Sequence, residues 1–161
     1  MHFKSLFKPI SLLFFTLVLI ACSATVTDPN IGREDFYQYI RWMNRMEISL
    51  ETVVDDQVRS AAPQGKPSSE LQETLSLVMN RQLDNNINTL KALNVHYAEV
   101  KQLKEVTLNM LTLSKQMMPL LAKKDNVSKT KLATLDKAFS AEEQKSSILF
   151  NTLVQRFGLP K

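Results

Sequence analysis

Only three glycines occur in the 161 residues, Gly32, Gly65 and Gly158, and they lie far apart. Chain reversals between strands draw heavily on glycine and proline, so a many-turned β protein is excluded. The sequence between the glycines instead carries a helical period. Phe36, Ile40, Met43, Leu50, Val54 and Val58 recur at three- and four-residue steps, with Glu47 filling one slot imperfectly, and predict a helix over 34–60. The stretch 61–67, Ala-Ala-Pro-Gln-Gly-Lys-Pro, ends it as a loop. Ser69-x-x-Gln72 is a capping box that opens a second helix, striped by Leu71, Leu75, Val78, Leu83, Ile87, Leu90 and Leu93.

Asn94 is a candidate left-handed terminator for this helix, with Val95 closing a hydrophobic contact. A third helix over 96–123 then carries Val100, Leu103, Met110, Leu113, Met117 and Leu120. The apolar stripe Leu90, Leu93, Tyr97, Val100 also passes through Asn94 with little phase error, so a single long rod is the alternative. Pro119 predicts a kink or an early end. Ser128 is the expected cap of a fourth helix reaching Phe157 on Leu132, Leu135, Phe139, Leu149 and Leu153. Within it, Ser140-x-x-Glu143 predicts a kink or restart. The expectation is an all-α, antiparallel up-down bundle over 34–161, with four long helices, or three if the middle two are continuous.

The N-terminus has a different character. A short basic stretch containing Lys4 and Lys8 precedes an apolar run from Ile10 to Ala21, and the run ends at Leu19-Ile20-Ala21-Cys22. The run is shorter than the roughly 17–25 residues needed to span a bilayer, and its layout is that of a secretory signal. The last four residues resemble the lipobox of bacterial lipoproteins. That resemblance implies a signal peptide over 1–21 and cleavage between Ala21 and Cys22. It also implies a diacylglyceryl group on the Cys22 thiol and an N-acyl chain on the new N-terminus. Two or more acyl chains suffice for stable anchoring. Ser23 stands where the family's inner-membrane retention signal would place Asp, which implies an outer-membrane lipoprotein facing the periplasm in a Gram-negative envelope. Residues 22–33, small and polar with Pro29 and Gly32, read as a tether. Cys22 is the only cysteine of the chain, so no internal disulfide exists.

Hydrophobic residues make up 44% and charged residues 22% of the chain, which excludes disorder. The net charge of +4 includes Lys4 and Lys8, so the processed chain is closer to neutral and its charge is no argument for nucleic acid. Acidic side chains predominate over 22–80 and basic ones over 81–161, an asymmetry that fits solvated helix faces.

Catalytic groups are scarce. His96 is the one histidine beyond His2, and no second His or Cys provides metal-ligand spacing. There is no Cys-x-x-Cys-His haem site, no glycine-rich phosphate loop and no plausible Ser/His/Asp set. The adjacent pairs Asp55-Asp56 and Glu142-Glu143 point about 100° apart on a helix and make poor shared-proton dyads. Most methionines fall on the core stripes as gap-fillers, which disfavours a Cu(I) site. No cofactor is expected beyond the covalent lipid.

One segment exceeds what a core stripe requires. Beside Phe36, Ile40 and Met43, a second stripe of Tyr39, Trp42 and Met46 widens the apolar arc of the first helix. It is either a broad core at that end or an aromatic patch flanked by Arg41 and Arg45, with the composition of an interface hot spot. Tyr39, Arg41, Trp42, Arg45 and Met46 are therefore the candidate partner-binding residues. The functional expectation is a non-enzymatic envelope lipoprotein that binds an envelope protein as an assembly or scaffolding factor. The alternative is an inhibitor or immunity-type lipoprotein that blocks a toxin or hydrolase.

Overall fold

The computed structural model describes residues 28–61, 68–121 and 125–160, with the side chains of 57, 58, 60, 61 and 68–73 left aside. Four helices follow one another: α1 (Pro29–Ala61), α2 (Ser68–Ala92), α3 (Ala98–Leu121) and α4 (Asn126–Phe157). They pack as an all-α bundle with no strand among the described residues.

Cross-helix bonds fix the directions. Between α1 and α2, Trp42 pairs with Thr89 and Ser49 with Gln82, so one helix rises as the other falls. Lys104 against Lys91 and Lys115 against Asp84 give the same antiparallel register for α2 and α3. Arg156 with Glu99 and Asn109 with Glu142 give it for α3 and α4. Tyr37 near the start of α1 donates to the carbonyl of Phe157 at the end of α4, 3.2 Å away. The result is an up-down-up-down bundle in which α1 and α3 run parallel across the diagonal, joined by Tyr39 and Thr107.

The helix boundaries follow local chemistry, and in places they depart from the sequence expectation. Helix α1 starts at Pro29, five residues before the expected position, so residues 29–33 belong to the bundle and not to a tether. Asp28 accepts the N–H of Asn30 at 2.9 Å, and the proline has no N–H to leave unsatisfied in the first turn. The break between α2 and α3 is real: α2 ends at Ala92 and α3 opens at Ala98. Lys104 stabilises it by donating its ammonium to the carbonyls of Lys91 and Leu93, at 2.8 and 2.7 Å. A cation at a helix C-terminus also meets the negative end of the dipole.

Helix α3 runs through Pro119 and ends two residues later at Leu121. The cap of α4 is Asp125 and not Ser128: the Asp125 carboxylate accepts both the backbone N–H and the hydroxyl of Ser128, each at 2.7 Å. No restart occurs at Ser140, because α4 is continuous from 126 to 157 and its stripe needs no new cap there. Gly158 closes α4 with φ 72°, the left-handed conformation that disfavours a side chain, and its N–H returns to the carbonyl of Val154. The Ser69-x-x-Gln72 box falls on side chains outside the described set.

Packing is concentrated at one end. The side chains with essentially no exposure are Phe36, Leu90, Val100, Leu103 and Leu153. They come from the start of α1, the end of α2, the start of α3 and the end of α4. This is the near end, where α1 enters and α4 finishes. At the far end Leu50, Val54, Leu113, Leu120, Leu132, Leu135 and Phe139 are only half-buried.

Candidate functional site

Of the two readings of the wide apolar arc, the broad core is the one that forms, and the aromatic patch is not a surface feature. Tyr39 and Trp42 are each 3% exposed and lie inside the bundle. Their polar tips are satisfied there by threonines from other helices. Trp42 Nε1 donates to Thr89 Oγ1 at 3.0 Å, and Thr89 passes its own proton to the carbonyl of Asn86. Tyr39 lies 2.8 Å from Thr107 Oγ1. Thr107 gives its proton to the carbonyl of Leu103, so Tyr39 is the donor. Burial raises the Tyr39 pKa above its ordinary value. The two rings also touch, with centroids 5.9 Å apart. Arg41 and Arg45 point outward and are exposed, whereas Met46 is half-buried against the core. The five residues singled out from sequence are therefore split between inside and outside and form no common surface.

The wide apolar arc builds a polar-buttressed near end. Asp35, 3% exposed, accepts the backbone N–H groups of His96 and Tyr97 at 2.5 and 2.7 Å. It thus caps the start of α3 from a neighbouring helix. Sequence reasoning missed Asp35, and the only signal was a carboxylate placed directly before the core residue Phe36. Beside it, a Cβ on Gly32 would meet Phe157 Cζ and Tyr97 Cδ2 at 2.7 Å. The absent side chain lets α1 approach both rings. Tyr97 and Phe157 meet edge to face at 5.5 Å, and Phe36 packs against Phe150 at 5.6 Å. Arg156 bonds the Tyr97 hydroxyl and Glu99 Oε1, the latter at 2.6 Å, and the bond to Glu99 raises the pKa of Arg156 above its ordinary value.

A shallow groove of about 340 Å³ lies between α3 and α4, lined by Gln102, Glu105, Val106, Lys145, Ile148 and Leu149. Lys145 is tied to Glu142 at 2.6 Å, and that pairing, with a bond from Asn109, lowers the Glu142 pKa. Ile148 is 62% exposed at the groove's edge. Among the described residues no group of three or more His, Cys, Asp or Glu could hold a metal ion. No described helix is long and apolar enough to cross a membrane. Ala21 and Cys22, the expected cleavage and lipidation residues, lie outside the described residues.

Residues 33–158 match the family described as "Uncharacterised lipoprotein PM1805", and the chain belongs to that family. The match begins in the second turn of α1 and ends at the cap of α4, so it covers the bundle and not the signal-like N-terminus. No curated protein and no solved structure matches the chain. Membership makes this a lipoprotein of the cell envelope, anchored at a membrane, and its domain is an all-α bundle.

Proposed function

We propose that the chain is a non-enzymatic lipoprotein acylated at Cys22, facing the periplasm from the outer membrane of a Gram-negative envelope, whose bundle binds another envelope protein as an assembly or scaffolding factor. The lipobox-like Leu19-Ile20-Ala21-Cys22 and Ser23 support the anchor and its destination. The observation that carries protein binding is the α3–α4 groove, where exposed Ile148 stands beside Val106, Leu149, Glu105 and Lys145. Its polar side chains flank apolar ones, the make-up of a small recognition surface.

The test has two arms. Cys22→Ser should abolish lipid labelling and release or stall the precursor; unchanged membrane fractionation would remove the anchor. A photo-crosslinking side chain at Ile148 should give one discrete protein adduct in intact cells, with none from the same side chain at Lys129 on the far part of α4. Absence of any adduct at 148 would remove the binding role. An adduct with a toxin or hydrolase whose activity falls on binding would favour the inhibitor reading.

A further inference from the structure

We infer that the near end of the bundle rests on the lipid surface, so that the helices stand away from the membrane with the ends of α1 and α3 outermost. The inference rests on the anchor at Cys22. From Cys22 to Pro29, the first residue of α1, is seven residues, a reach of at most about 25 Å even when fully extended. Helix α1 alone has 33 residues and is about 50 Å long. The end at which α1 begins is thus held close to the anchor.

Two large apolar side chains are exposed there: Ile31, 42% exposed in the first turn of α1, and Leu159, 57% exposed just after α4. Gly32 and Phe157, one and two residues from them, are in contact, so both belong to the same end. Arg33, Lys91, Lys101 and Arg156 are also exposed at this end, and Asp28, Glu34 and the Glu99 bonded to Arg156 offset most of their charge. The expected contact is consequently apolar and persists in salt. The other strongly exposed apolar residues are spread over Ile48 on α1, Leu77 on α2, and Val127 and Ile148 on α4.

The test places p-benzoyl-phenylalanine at Ile31, Leu159, Ile48, Leu77, Val127 or Ile148 in the lipidated protein, reconstituted in vesicles of phosphatidylethanolamine and phosphatidylglycerol. All six positions are exposed, so the fold should tolerate the probe. Lipid adducts from 31 and 159 should exceed those from the other four positions by roughly tenfold, with and without added salt. Equal yields at the two ends, or adducts chiefly from 48, 77 or 148 as for a bundle lying on its side, would overturn the inference. Intact mass reports the acyl chains separately. If they are missing, the anchor reading falls, and coupling the Cys22 thiol to a maleimide lipid in the same vesicles still decides the orientation.

Discussion

The carboxylate of Asp35 and the backbone N–H of Tyr97 are 2.7 Å apart across 62 residues of sequence. The same oxygen accepts the N–H of His96 at 2.5 Å, so one side chain of α1 satisfies two donors at the entry to α3. Removing it leaves both amides without that acceptor. We expect Asp35→Ala to cost about 2–4 kcal/mol in urea unfolding and Asp35→Asn, which keeps an acceptor oxygen, less than half as much. A cost for Asp35→Ala below about 1 kcal/mol would mean that water or another group takes over both amides.

Gly32 poses a contest between propensity and space. Alanine in a helix gains about 1 kcal/mol over glycine. Here the new methyl would lie 2.7 Å from ring atoms of Phe157 and Tyr97, which are themselves packed edge to face. Overpacking costs about 1–3 kcal/mol, so Gly32→Ala should lower the melting temperature. A higher melting temperature would show that the rings yield freely.

Trp42 and Tyr39 are structural, and their replacement should read as loss of core. Trp42→Ala should cost about 3–5 kcal/mol in chemical denaturation. Arg41→Ala and Arg45→Ala, on the exposed side of the same helix, should stay within about 0.5 kcal/mol. Trp42 is also the only tryptophan, so emission from the folded protein should be blue-shifted and move to the red on unfolding. Red emission from the folded protein would contradict its burial.

Tyr39 also gives stability an alkaline limit. Its phenol titrates above the ordinary 10.0 in the folded protein because burial penalises the phenolate, so the folded state holds this proton more tightly than the unfolded chain. The contribution is complete below the unfolded value and declines as pH rises past it toward the raised folded value. The difference in unfolding free energy between the parent and Tyr39→Phe should be flat below pH 10 and narrow above it. A difference that does not change with pH would show that burial does not shift this phenol.

Helical period located the helical segments, because each buried stripe repeats locally: Leu83, Ile87 and Leu90 on α2, or Val100 and Leu103 on α3, need no distant information, but the same period runs through Asn94 and left the separation of α2 from α3 open. Errors arose where a local signal competes with a distant partner. Asp28-Pro29 starts α1 by its own chemistry, yet the small residues around it resemble a linker. Ser128 is a good cap by type, but Asp125 stands three residues earlier and accepts its N–H. For Tyr39 and Trp42 the sequence left core and interface both open, because indole and phenol carry polar atoms. Thr107 and Thr89, which satisfy those atoms, lie 68 and 47 residues away. Asp35 was invisible for the same reason, since its acceptors' partners sit at the turn before α3 and nothing in its neighbourhood announces them.

The bond from Tyr37 to the carbonyl of Phe157 spans 120 residues, and Gly32 packs against the same phenylalanine. A chain produced from its N-terminus therefore completes α1 long before the surfaces that seal its first two turns exist. Closure of the near end depends on contacts distant in sequence, whose loop entropy must be overcome late. Until residue 157 has followed, Phe36 and the turn around Gly32 are left uncovered on their α4 side. Loss of the last turn of α4 would accordingly reopen the first turn of α1, making the two extremities of the bundle a single cooperative joint.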